Sequence, residues 1–367
     1  MGYRFATAAA VAAALTLAGA GVATAATPTA VASCGTTLTG AGYLPHDLTC
    51  TGDVGVNLAG DATLDLRGHR LTGPGSSGVG VQLSPTGRST VVHGTIRGWS
   101  AAIATDTDSE TSFDATVTGL RLVGNRAGLY AYGFPGALHA SRLAVLNNTT
   151  SAVSADYGAD ITITESVLRN NPTGLAIWGA VHADRLVITG SQKAVSCYES
   201  ACEVSHSLIS DSETGVYGWA ARGTYEGNTF ARNDVAWATG FSDRPSTTHF
   251  EEEVRGNRFV GNDVAVRMDG IASTAFRRNT FTGNGIGITN AGPNSDSFVV
   301  LMEQNTFKRN GDGIRLLDIF GTALLSGNRA VRNTGWGIYA PQATDLGDNT
   351  ASGNGNEPQC VGVVCAS

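Results

Sequence analysis

Apolar residues alternate with polar ones in short runs along most of the chain, and the same polar residue returns between the runs. Asn279-Thr-Phe-Thr-Gly-Asn-Gly-Ile-Gly-Ile288 shows the pattern. Phe281 sits between two polar neighbours, and Ile286 and Ile288 alternate with Gly285 and Gly287, so both halves predict short strands with one buried face. Close variants surround it: Asn257-Arg-Phe-Val-Gly-Asn262, Asn305-Thr-Phe-Lys-Arg-Asn310 and Asn328-Arg-Ala-Val-Arg-Asn333, followed by the aliphatic residues Val264, Ile314 and Ile338. The second asparagine recurs at 262, 284, 310 and 333, with gaps of 22, 26 and 23 residues. A repeat of this length builds a solenoid, one supersecondary unit per turn.

Between the two strands of a unit the chain bends sharply. Asn tolerates the left-handed conformation such a bend needs, and Gly tolerates it better still. Asparagines stacked at one bend can also bond amide to amide along the axis. Each unit therefore reads as strand, bend and strand, closed by a variable loop, which is one coil of a parallel β-helix. A leucine-rich horseshoe would need a Leu-x-x-Leu-x-Leu pattern that this chain lacks.

Aligning the bends gives Asn125, Asn148, Asn171, Ser191 or Gln192, Ser212, Asn233, Asn262, Asn284, Asn310, Asn333 and Asn354. In the middle coils the position of Phe281 is taken by Leu122, Val145, Leu168, Ile188 and Ile209, which keeps one inward column filled. At 4.8 Å per coil, roughly fourteen coils predict a rod on the order of 65 Å long. Polar departures from the period at 106–114, 241–253 and 290–297 are expected to project as loops.

The first residues do not fit this repeat. Arg4 precedes an apolar run from Ala8 to Ala20, and Ala23-Thr-Ala25 offers a small-x-small cleavage site, with Ala30-Val-Ala32 as a second. The expected organisation is a secretory signal over 1–25 (cleaved as late as 32), an N-terminal cap over 33–60, the β-helix over 61–356 and a disulfide-closed cap over 357–367. No run is long enough to span a bilayer, so a secreted monomer is expected. The net charge is −7, or −8 once Arg4 leaves, and no polybasic run is present, which argues against nucleic acid or an anionic membrane as partner. Six cysteines fall into sequence-local pairs, Cys34 with Cys50, Cys197 with Cys202 and Cys360 with Cys365. In an exported chain these are expected as disulfides, although six cysteines permit fifteen pairings.

The runs "ATLDLRGHRLTGPG", "GVGVQL" and "STVVHGTIRGW" between Ala62 and Trp99, with the later Asn-x-Phe-x-x-Asn coils, resemble exported proteins of the pectate-lyase-like superfamily. The resemblance covers about Cys34 to Asn356. It implies an all-β fold, a single-stranded right-handed parallel β-helix, and a substrate groove on the strand after the Asn bend. It implies no particular activity, because the superfamily holds lyases, hydrolases, epimerases and phage adhesins. The paired Asp motif, the Gly-His-Gly and the Arg-x-Lys of polygalacturonase-like members are absent, as is the Arg-x-Pro-x-x-Arg element of pectate lyases. Pro45-His46-Asp47 matches an epimerase triplet but falls in the cap.

On the strand after each bend, the outward residue three places past the inward aliphatic is Tyr132, Asp156, Trp178, Tyr198 and Trp219. Four aromatics and one carboxylate therefore form one exposed column about 19 Å long. Tyr130 and Tyr217 flank it, and Tyr157 and Glu199 lie just beyond its edge. Arg267, Asp269, Arg315 and Asp318 follow on later coils. Exposed apolar strips mark binding surfaces, and flat rings suit the C–H faces of sugars, so an extracellular polysaccharide is the expected partner.

Asp156 is the leading catalytic candidate, with Glu199 as the second carboxylate that glycoside hydrolysis requires. His182 and Lys193 are the candidate bases for a lyase. The expected function is a carbohydrate-active protein that binds this polysaccharide and cleaves it as lyase or hydrolase; the competing expectation is a non-catalytic glycan-binding or adhesin-like solenoid. No cofactor is expected. Asp106-Thr-Asp108-Ser-Glu110 offers alternating carboxylates to calcium but lacks the glycine and glutamate of an EF-hand loop.

Overall fold

Alternation of buried and exposed residues in runs of three to six makes every regular element a short strand, and parallel stacking of those strands gives the chain its form. The computed structural model describes residues 27–105, 113–133, 136–156, 158–219, 221–239, 250–268, 273–290, 299–317 and 321–366. The expected signal, the acidic calcium loop, Tyr157, Asp269 and Asp318 lie outside the described residues. All strand pairings among the described residues are parallel, and none of their segments is helical. The chain is a parallel β-solenoid.

Each coil has three strands, one more than the repeat predicted. In the coil of Phe281 they are Thr280–Thr282, Ile286–Asn290 and Val299–Glu303. The strands equivalent to Ile286–Asn290 stack into a fifteen-strand sheet, face one. Those equivalent to Val299–Glu303 form face two, and those equivalent to Thr280–Thr282 form face three. The long strands Arg88–Arg97 and Phe113–Val123 run through from face two to face three without a break. The face-two strand was read as part of the variable loop because the loop before it differs in length from coil to coil. Its signal was present in the alternation of Ile161 with Ile163, Val181 with Ala183 and Cys202 with Val204, all buried.

Both bends that flank face three use left-handed residues followed by a buried amide. Arg278 and Gly283, with φ of 54° and 66°, precede Asn279 and Asn284. The Asn284 side chain accepts from the Asn262 backbone N–H at 2.9 Å, and its own amide donates to Asn310 at 2.9 Å and to the Phe259 carbonyl at 3.0 Å. Repetition of this geometry makes an amide ladder from Asn233 through Asn354 to Gln359. A second ladder, at the first asparagine of each unit, runs from Asn228 to Asn349. Each rung satisfies backbone groups that a buried corner would otherwise orphan.

Inside, Leu122, Val145, Leu168, Ile188, Ile209, Phe230, Phe259, Phe281 and Phe307 occupy one continuous buried column of face three. The four phenylalanines stack with centroids 4.6 to 4.8 Å apart. That spacing equals the strand repeat, so identical rings on successive coils meet face to face without adjustment. Glycine is required where coils approach closely: a Cβ on Gly287 would collide with the Gly313 carbonyl oxygen.

Where aliphatic coils give way to aromatic ones, the core holds a polar cluster. Tyr225 meets Trp237 edge to face at 4.3 Å, and its hydroxyl lies 3.7 Å from the Cys197 sulfur. The buried Glu252 accepts from the Thr274 hydroxyl through one oxygen, while its other oxygen has no partner among the described residues. Burial pushes the Glu252 carboxyl up to about 7, against the hydrogen bond from Thr274. Disulfides join Cys34 to Cys50, Cys197 to Cys202 and Cys360 to Cys365. Three such bonds belong to an oxidising compartment, extracellular or periplasmic. No helix among the described residues is long and apolar enough to cross a membrane.

Candidate functional site

Parallel pairing puts equivalent residues of successive coils side by side, so the outward positions of face one form columns along the rod. Tyr132 pairs with Asp156 and Tyr198 with Trp219. The pairings of Ala155 with Ile177 and Ile177 with Cys197 bring the next residue, Trp178, between Asp156 and Tyr198. Tyr130, Ser154, Ala176, Ser196 and Tyr217 make the adjoining column.

Within these columns Trp178, Tyr198 and Tyr217 make a shelf of rings. Trp178 stacks on Tyr198 at 4.8 Å with 12° between planes, and Tyr217 lies 6.0 Å from Tyr198. Trp178 is 48% and Trp219 40% exposed, which sets them apart from Trp99 and Trp237 in the core. Lys193 reaches across the shelf: its Nζ sits 4.4 Å from the Tyr217 ring centre and donates to the Tyr198 hydroxyl at 3.3 Å. An ammonium over a ring face is held by the ring quadrupole. Asp156 pairs with the Tyr130 hydroxyl. Burial, reinforced by this bond and by the Asp156 charge, pushes the Tyr130 phenol up to about 12. Tyr130 therefore remains a proton donor at neutral pH.

Glu199 and Asp160 line a trough at the corner between faces one and two. Trp178 forms one wall, and Gly136, Ala137, Ala159, Gly179, Ala180 and Ala201 make a floor of small residues under about 690 Å³. Glu199 takes the left-handed conformation there, with φ of 46°. His182, a candidate base, does not stand on face one. It belongs to Ala180–Asp184 on face two, where the unpredicted third strand turns it away from the shelf. Its ring bonds Glu203 at 2.9 Å and stands 3.9 Å from Asp160. The four catalytic candidates thus separate: Asp156 and Lys193 project from face one, Glu199 from the corner and His182 from face two.

Arg267 and Arg315 extend the column of Tyr217 onto later coils, and Arg315 stands 3.5 Å from Asp312. The sequence reading missed Arg126. This exposed residue lines a face-one groove of about 440 Å³ together with Gln82, Thr105, Tyr130 and Ser151. A second groove, of about 360 Å³, holds Lys193, Tyr198, Gln192 and Glu213. Arg126 directly follows the bend residue Asn125, and that position was the available signal.

Comparison with solved structures finds the catalytic unit of a thermostable alpha-1,3-glucanase from Streptomyces thermodiastaticus, at 16% identity and a TM-score of 0.48, covering 90% of this chain and 71% of that one. It also finds a tailspike protein of E. coli bacteriophage HK620 in complex with a pentasaccharide, at 12% identity and a TM-score of 0.49, covering 92% and 71%. Both likenesses are loose. Comparison with curated protein sequences finds no match. The family model described as periplasmic copper-binding protein (NosD) matches residues 56–270 and 252–358.

Copper favours imidazole, thiolate and thioether donors. Here all six cysteines are in disulfides. His69, His93, His182 and His206 each face a carboxylate, and no three His, Cys, Asp or Glu side chains converge among the described residues. Among the described residues, that donor set does not fit a resident copper ion. By its coil repeat, matched over most of its length, the chain belongs to the NosD family.

Proposed function

We propose that face one binds an extracellular polysaccharide laid along the rod axis, with the aromatic shelf as its platform. The observation that carries this reading is the exposed Trp178 stacked on Tyr198, with Lys193 and the Tyr130–Asp156 pair beside it. Rings held in a rigid sheet lose little conformational freedom when a ligand arrives, and surrounding polar groups at fixed positions supply orientation. The arrangement suits stacking on sugar rings with hydroxyls bonded at the margins.

Retention of the purified chain on a panel of polysaccharides tests this, with Trp178→Ala and Tyr198→Ala as variants. Retention lost in both, with thermal unfolding unchanged, is the expected result. Retention unchanged in both removes the shelf from the ligand site.

Hydrolysis at the adjoining trough is a second reading, favoured by Asp160 and Glu199 lining one groove beside Trp178. Two carboxyls flanking a sugar linkage can act as acid and as base or nucleophile. Release of reducing ends, abolished by Asp160→Asn and by Glu199→Gln, is the outcome that reading requires.

A further inference from the structure

Face one is not uniform in charge, and the asymmetry bears on the ligand. Among the described residues no carboxylate lines the groove of Arg126, whose polar lining otherwise consists of hydroxyls and one amide. Arg126 makes no ion pair and no side-chain hydrogen bond among the described residues, and Lys193 makes no ion pair there. Ala127, Ser151, Thr173 and Lys193 are successive rungs, so the strand starts that bear the two cations are three coils, about 14 Å, apart along the axis. Asp156 on this stretch is engaged by Tyr130, and Glu213 of the next coil lines the Lys193 groove. Beyond Lys193 the sign reverses. Glu213, Asp234 and Asp263 occupy the position just before the strand on three consecutive coils, as Arg126 does on its own.

We infer that the ligand of the Arg126–Lys193 stretch is an anionic glycan, its sugar carboxylates or ester sulfates bound by these two cations. The inference rests on the polysaccharide reading above and adds the substrate class. In a chain of net charge −7, Arg126 faces its groove and Lys193 shares its groove with Glu213, and neither cation makes an ion pair among the described residues, so both can lower the energy of a bound anion. The acidic coils past Lys193 end the favourable stretch by repelling the same ligand. Lys193, held over the Tyr217 ring, presents its charge at the shelf where the sugar rings stack. Arg126 supplies a planar fork suited to a carboxylate or sulfate.

The test compares polymers that share a backbone: polygalacturonate with its methyl ester, and dextran sulfate with dextran, each titrated into the purified chain in low and in moderate salt. Tighter binding of a charged form, weakened by salt, is expected, with Arg126→Glu and Lys193→Glu each costing about tenfold for the charged polymer only. Glu213→Gln should tighten the same binding. Preference for polygalacturonate assigns carboxylate, preference for dextran sulfate assigns sulfate, and equal binding of both assigns charge alone; each supports the inference. Equal binding of acid and ester, unmoved by either reversal, overturns it while leaving the polysaccharide reading intact. No binding to any of the four, by a chain whose unfolding transition is normal, overturns both. Arg126 is exposed and Lys193 lies on the outer surface, so circular dichroism of both variants should match that of the parent.

Discussion

Aromatic residues change sides along this rod. From Leu122 to Ile209 the inner column of face three is aliphatic, and the rings of the same coils, Tyr130, Tyr132, Trp178, Tyr198, Tyr217 and Trp219, stand outside on face one. From Phe230 to Phe307 the rings are inside, stacked at the coil repeat, while Arg267, Thr289 and Arg315 continue the outer column. Inner rings are accounted for by packing, since each buries its faces against its neighbours. Outer rings are not. Trp178 is 48% exposed, and the proposed polysaccharide platform is what would account for it.

Removing one inner ring should have the largest effect. Phe281→Ala opens a cavity between Phe259 and Phe307 and is expected to cost about 3–5 kcal/mol in denaturant unfolding. A cost below about 1 kcal/mol would mean that neighbouring rings collapse into the gap and that the inner stack is not what holds these coils.

Glu252 sharpens the boundary between the two regions. Its carboxyl titrates near 7 in the folded chain against 4.5 in the reference state, so between those values the folded chain holds the extra proton. Stability is fully present below about pH 4.5 and falls by roughly 3 kcal/mol as the pH rises to about 7, then levels. Glu252→Gln should flatten that slope in thermal melts taken across the range. A parent melt that does not change between pH 4.5 and 7 would contradict the buried, proton-holding carboxyl.

Asn284→Ala removes one rung of the ladder and orphans the Asn262 N–H and the Phe259 carbonyl. A loss of about 1–3 kcal/mol is expected, smaller than that for Phe281. Trp178→Ala sits at the other end of the scale. It should change stability by less than about 0.5 kcal/mol, and the same protein should lose polysaccharide retention. A large stability loss would return Trp178 to the packing class and erase the contrast between inner and outer rings.

How much of this was legible depends on what each feature needs. Asparagine at a sharp bend and alternation around Phe281 are local requirements, so the repeat, the parallel stacking and the inward column could be read from residues 257–338 directly. The outward column was also readable, because a period-2 strand sends every second residue to one side. The face that carries His182 was not legible, because its strand lies after a loop of variable length and no local pattern states on which face the chain resumes. Arg126 escaped because an exposed arginine after a bend resembles any solvated turn residue until the hydroxyl-rich lining of its groove is seen.

The sequence by itself determined the coil, its period, its buried columns and the exposed aromatic register. Each follows from backbone geometry and burial within about ten residues, and parallel stacking then copies it from coil to coil. Only the tertiary structure decided which charges share a groove. It separated His182 from the shelf, set Lys193 over Tyr217, joined Asp156 to Tyr130 and put Asp160 and Glu199 on one trough floored by small residues. Those neighbours lie on different coils and different faces, and their meeting depends on loop lengths and side-chain reach that no repeat encodes.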